Sequence, residues 1–167
     1  ISVCLVGSEM CIRDSSNIKK KLESGQVIIL DGALGAELEK VGAPMDKNLW
    51  VGKCSNDRPD LVLKVHEKYI DAGADVITTN TYALAPVSMK EHGYQDNITN
   101  WNIKSVEIAK TAAKNSKSEV IVAGSISTYG SWYRLGQDTL KKNFEEHLII
   151  NLRNKPRFVK ITKAGFY

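Results

Sequence analysis

Cysteine is scarce in this chain: three in 167 residues, at positions 4, 11 and 54. So few thiols build no disulfide framework of the kind that staples small secreted domains. Long apolar runs are missing as well, and no stretch approaches the ~20 residues of a membrane span. Nor is charge of one sign in great excess. The net charge is +4, and the 23 Lys and Arg are scattered apart from Lys19-Lys20-Lys21. No basic stripe is interleaved with aromatics, which argues against a nucleic-acid partner. Glycine fingerprints for phosphate are absent too. "DGALGAE" has the wrong spacing for GxGxxG, and no P-loop lysine pattern occurs. What is present is a globular composition, with 43% hydrophobic and 25% charged residues, in a length that suits one ordinary domain.

The first fifteen residues stand apart. "LVGSEMCIRDS", Leu5 to Ser15, resembles a translated sequencing-library adapter, and its pattern continues neither a helix nor a strand. It also lacks the basic start and long apolar centre of a signal peptide. Residues 1–15 are therefore set aside as an adapter-like leader, and residues 16–167 are taken as the domain. Cys54 is then the one remaining cysteine. A single thiol fits a reducing, cytoplasmic setting and makes no metal site alone.

From residue 17 onward, strand and helix patterns alternate. "NIKKKLESG" reads as a short helix closed by Gly25. Val27 to Leu30 is a continuous apolar run, which predicts a strand buried on both faces as in parallel sheets. "ALGAELEKVG" predicts a helix ending at Gly42. Residues 43–59 read as a long loop, with Asp57 or Asp60 as the cap of the next helix and Pro59 in its first turn. That helix has apolar residues at 61, 62, 65, 69 and 70 and stops at Gly73. A strand follows over 75–80, then a short helix over 86–92. A long helix runs through "NITNWNIKSVEIAKTAAKNS", and a third strand covers 120–123. "DTLKKNFEEHLIINLRNK" predicts another helix, which "PRFVKITKAGFY" extends or restarts after a break at Pro156. Strands separated by helical segments imply βαβ units and a parallel sheet. With no dinucleotide fingerprint, the expected fold class is α/β: about three βα units, the N-terminal half of a (β/α)8 barrel.

The three predicted strands begin apolar and finish polar, in "LDG", "TTNTY" and "GSISTYG". Ligands of parallel α/β folds sit at the carboxyl ends of strands. If the strands are neighbours, Asp31, Thr79, Asn80, Ser125 and Tyr129 converge on one rim. A carboxylate there suits an ammonium group. Hydroxyls and backbone N–H groups near Gly32 and Gly124 suit a carboxylate, so the rim suits an amino acid. The plainer reading stands beside it: Asp31 before Gly32 as a turn or cap, and Thr78 to Thr81 as ordinary strand residues.

At these residues the sequence resembles the homocysteine S-methyltransferase family, with its homocysteine-binding barrel domain. The carriers are "ILDGALGAELEKVG", "LW" at 49–50, "PDLVLKVHEKYIDAGADVITTNTYALAP" and "VAGSISTYG", in that order. The resemblance implies a (β/α)8 barrel and methyl transfer from a small donor to the thiol of homocysteine. It implies Zn2+ held by three cysteines on later strands, where the metal stabilises the nucleophilic thiolate. It implies that Asp31 takes the substrate amino group, with Gly32 as its backbone neighbour and Thr79 at the second strand end. Trp50 and Tyr129 fall on the methyl-donor side, and a purely structural role for Trp50 stays open.

The sequence departs from the family at Ala33 and Ala36, where glycine and threonine are common. It departs again at Ser127 and Thr128, in the loop after the third strand. None of the three zinc cysteines has a counterpart, and Cys54 matches none of them. The expectation is therefore a fragment that carries part of the substrate site and has no turnover of its own. The alternative is a non-catalytic amino-acid-binding or regulatory barrel domain. A barrel lyase or aldolase would need a strand-end lysine or further carboxylates, which the visible strands lack.

Overall fold

The structure is a computed structural model that describes residues 20–127, 137–153 and 158–162. After a helical turn at 20–23, the main elements are α1 (Leu34–Lys40), α2 (Cys54–Asp57), α3 (Pro59–Asp71), β1 (Val76–Thr78), α4 (Pro86–Glu91), α5 (Ile98–Asn115), β2 (Ile121–Ser127), α6 (Gln137–Arg153) and β3 (Phe158–Thr162). The strands form one parallel sheet in the order β1-β2-β3. Val76 lies opposite Ile121, and Ala123 opposite Phe158. Parallel neighbours need crossover helices, and α5 and α6 supply them.

The long helices follow the periodicity of the sequence. Along α3, Val62, Val65, His66 and Ile70 are buried, one stripe at helical spacing. Pro59 opens α3, where a missing N–H costs nothing, and Gly73 follows its end at φ +100. Gly42 does the same after α1 at φ +78. Ile77 and Val122 pack with Ile70, Ala109 and Ala112 on the helix side of the sheet. Val76, Ile121 and Ala123 pack together on the other side, with Ile28 against them.

Five sequence expectations are corrected. The apolar run at 27–30 is not a strand buried on both faces. Its ladder is one isolated parallel bridge, Leu30 to Val76, and Val27, Ile29 and Leu30 are 82%, 52% and 50% exposed. Among the described residues it has a neighbour on one side only, and apolar character alone cannot supply the second. Residues 158–162 form a strand rather than continued helix. Phe158, Val159, Ile161 and Thr162 are strand formers, and β2 offers a ladder that rewards them. The loop at 43–59 contains the one-turn helix α2. Neither Asp57 nor Asp60 caps α3: its N-cap is Arg58, without a side-chain cap bond. Arg58 is instead paired with Asp60 at 2.8 Å. The third strand also runs on to Ser127, four residues past its expected end, because β3 pairs with it from Ala123 to Ser127.

Candidate functional site

The polar tail of the second strand, Thr78 to Thr81, is buried throughout. Each of its side chains ties one structural piece to another. Thr78 takes the first piece. Its N–H donates to Asp31 Oδ2 at 2.8 Å, and its hydroxyl lies 2.9 Å from both Asp31 carboxylate oxygens. Asp31 is itself buried, and its N–H donates to the Val76 carbonyl. The carboxylate is thus fixed at the end of the first segment by the end of the second. Charge-assisted bonds of this kind are the strong ones.

Thr79 and Thr81 take the third piece. The Ser125 N–H donates to Thr79 Oγ1 at 3.0 Å, and Thr81 Oγ1 donates to the Ser125 carbonyl at 2.6 Å. The two threonine oxygens are 2.8 Å apart. Since the Thr81 proton goes to Ser125, Thr79 donates to Thr81, and the circuit closes. β1 has ended at Thr78, so two hydroxyls satisfy the backbone groups that its next residues would have met. Left bare, those buried groups would each cost about 1–3 kcal/mol.

Asn80 takes a fourth piece. Its Nδ2 donates to the Val51 carbonyl at 2.8 Å and to Ser55 Oγ at 3.0 Å. The loop carrying Trp50 is thereby pinned to the strand ends. Trp50 is 46% exposed, whereas its neighbours Leu49 and Val51 are buried. Its benzo ring lies against Gly35, where a Cβ would overlap it. Gly32 is similarly close-packed: a Cβ there would meet Tyr69 Oη at 2.9 Å. Burial pushes the Tyr69 hydroxyl above its ordinary pKa, with Glu37 and Asp31 adding to the effect.

Asp31, Gly32, Thr79, Asn80 and Ser125 therefore lie at the ends of three adjacent parallel segments, and Trp50 stands beside the first of them. The side chains of Thr79 and Asn80 are engaged within the protein. Tyr129 lies outside the described residues. Sequence reasoning missed Asn102 and His147, buried behind this rim. Asn102 Nδ2 donates to the Leu84 and Ile98 carbonyls at 3.1 and 2.8 Å, and its Oδ1 is 3.2 Å from His147 Nε2. Burial holds His147 down to about 4, partly opposed by hydrogen bonds with the backbone of Thr81 and Ser127. Neither residue sits in a sequence motif, so only the fold reveals them.

Cys54 is buried, and burial pushes its thiol up to about 11. It is a neutral packing group at neutral pH. Among the described residues no group of three or more His, Cys, Asp or Glu could hold a metal ion. No helix among them is long and apolar enough to cross a membrane.

Known proteins resemble this chain in sequence and in fold. A homocysteine S-methyltransferase of maize, number 2 of its set, is 34% identical over 127 residues, covering 69% of this chain and 38% of that protein. The homocysteine S-methyltransferase of Escherichia coli K12 is 30% identical over 128 residues, covering 72% and 41%. The crystal structure of the E. coli homocysteine methyltransferase MmuM, metallated form, superposes with a TM-score of 0.72 at 26% identity, covering 85% of this chain and 56% of that one. The chain thus spans about two fifths of the length of these curated relatives. The family model for homocysteine S-methyltransferase matches residues 28–161, a span that holds Asp31, the Thr78–Thr81 tail, β1, β2 and all but the last residue of β3; the chain belongs to the homocysteine S-methyltransferase family.

Proposed function

We propose that the protein takes part in methyl transfer to the thiol of homocysteine, and that the rim described here holds the amino acid end of that substrate. One observation carries the proposal: Asp31, within the matched span, is a buried carboxylate fixed at a strand end by two groups of Thr78. A fixed carboxylate suits a substrate ammonium group. Gly32 allows close backbone approach beside it. Thr79, Asn80 and Ser125 serve by holding the rim in register, and Trp50 walls it on the donor side. The α/β arrangement is part of a (β/α)8 barrel, and the setting is the cytoplasm, where a free thiol such as that of Cys54 stays reduced.

Thiol methylation needs a thiolate, and a free thiol with pKa near ~8.5 is mostly protonated at neutral pH. Zn2+ is the family expectation for that task. The described residues do not fit it: Cys54 is solitary, buried and neutral, and no ligand trio is present among them. The roles assigned here therefore stop at binding and orienting the substrate, and no turnover is expected of this chain by itself.

Calorimetric titration of the full chain with L-homocysteine tests the proposal. Binding that weakens roughly tenfold or more in Asp31→Asn supports it, since the charge that meets the ammonium is gone while the shape is kept. Absence of binding, or binding indifferent to Asp31→Asn, overturns it. Methyl transfer by the isolated, metal-supplemented chain would overturn the assignment of roles.

A further inference from the structure

Trp50 is the one non-glycine among the described residues with a left-handed backbone, at φ +50. Bulky side chains rarely adopt that conformation, and where they do the surroundings must impose it. Burial of the indole does not impose it, because the ring is half exposed while Leu49 and Val51 on either side are buried. Asp46 supplies the constraint. Its Oδ1 accepts the N–H groups of both Asn48 and Leu49 at 2.8 Å, closing the turn that leads into Trp50. Its own N–H donates to the Trp50 carbonyl at 2.8 Å, making an isolated antiparallel bridge across the turn. Beyond Trp50, the Gly52 N–H donates to the Leu49 carbonyl and Asn80 holds the Val51 carbonyl. The backbone is gripped on both sides of the tryptophan.

Gly35 gives the second half of the picture. It is buried in the first turn of α1, where alanine would make a better helix. A Cβ at that position would overlap the Trp50 ring. The helix that follows Asp31 thus has a bare spot that receives the indole.

We propose that Asp46 is a positioning residue: it seats the Trp50 indole on Gly35, and this seated ring forms the wall that makes the Asp31 rim a tight site. The binding half of this rests on the amino acid reading of the rim given above. Asp46 keeps its charge across the neutral range, since the Leu49 N–H, ahead of lesser contributions, holds its carboxyl below the usual range. Tyr94 Oη stands 3.4 Å from its other oxygen and is a weaker support.

The test combines proton NMR with L-homocysteine titration of the full chain. In the parent protein the Gly35 Hα resonances are expected upfield of their usual position, under the indole ring current. That shift should vanish in Trp50→Ala, which calibrates it, and in Asp46→Ala. It should return in Asp46→Asn, whose Oδ1 can accept the same two N–H groups. L-homocysteine affinity should fall roughly tenfold in Asp46→Ala and stay near parental in Asp46→Asn. Gly35→Ala should also weaken binding, because the ring loses its seat while Asp46 is untouched; it serves if Asp46→Ala fails to fold. A Gly35 shift that persists in folded Asp46→Ala overturns the proposal, as does parental affinity in Asp46→Ala or in Gly35→Ala. If the parent chain binds no L-homocysteine, the amino acid reading of the rim falls, while the Gly35 resonances still decide whether Asp46 seats the ring.

Discussion

Two neighbouring parts of the sheet are treated in opposite ways. Residues 27–31 meet β1 through a single bridge and leave Val27, Ile29 and Leu30 largely in water. Ile121–Ser127 is buried at all seven positions and laddered by β1 on one side and β3 on the other. Both stretches begin with apolar residues and finish polar, so hydrophobicity does not separate them. The number of partners does. A strand between two others has its backbone groups met and both faces covered, whereas an edge segment keeps whatever one neighbour provides. The polar ends differ in the same sense. Asp31 depends on Thr78 for its placement, while Ser125 is held by two threonines at once.

The comparison can be broken most forcefully from the buried side. Ile77→Ala, in the middle of β1 and fully buried, should cost about 2–5 kcal/mol in urea denaturation, the usual range for a truncated core isoleucine. An effect no larger than that of an edge substitution would mean that the sheet does not carry the stability of the chain.

Acid provides the next largest effect. Burial holds both His66 and His147 down to about 4, from an ordinary 6.5. Between those values the unfolded chain takes up protons that the folded chain refuses, so the histidines lower stability as the pH drops through this window, and their contribution levels off below it. The slope approaches about 1.4 kcal/mol per pH unit for each histidine. His66, whose two ring nitrogens have no hydrogen-bond partner, gives the cleaner case. Stability measured across the window should lose roughly half of its slope in His66→Leu, a swap that keeps an apolar site filled.

Asp31→Ala comes third. It strips the carboxylate from the Thr78 N–H and hydroxyl, and unpaired buried groups of this kind cost about 1–3 kcal/mol. Asp31→Asn should cost less, since an amide oxygen can still accept from Thr78. That ordering, read by thermal or urea unfolding, separates the structural work of Asp31 from its proposed ligand contact.

The smallest effects belong to the edge and the surface. Val27→Ser should change stability by no more than about 0.5 kcal/mol, because its side chain is already in water. A large loss would show that something covers the edge in solution. Lys90→Ala removes the exposed 2.7 Å pair with Glu146 between α4 and α6 and should cost about 0.2–1 kcal/mol, less at high salt.

Much of the fold was legible in the sequence where local chemistry repeats. The 3.6-residue spacing of α3 and α5 and the glycines at 42 and 73 survive in the structure. So does the neighbouring placement of the three strand ends. Residues 158–162 were misread because five residues carry too little periodicity to separate strand from helix. The candidate site was legible as a set of residue types, not as a network. Nothing in "TTNT" says that Thr78 serves Asp31, that Thr79 and Thr81 serve Ser125, or that Asn80 serves a loop some 25–29 residues upstream. Asp46 and His147 lacked any motif, because their importance lies in contacts made across the fold.

The sequence by itself determined the alternation of helices and strands, the polar finish of each strand, and the family. These follow from side-chain periodicity, from glycine and proline backbone limits, and from residue order. Only the tertiary structure decided which apolar run is core and which is edge, and where each strand-end hydrogen bond goes. It alone set the Trp50 ring against Gly35. Burial and hydrogen bonding need partners, and those partners lie dozens of residues apart until the chain folds.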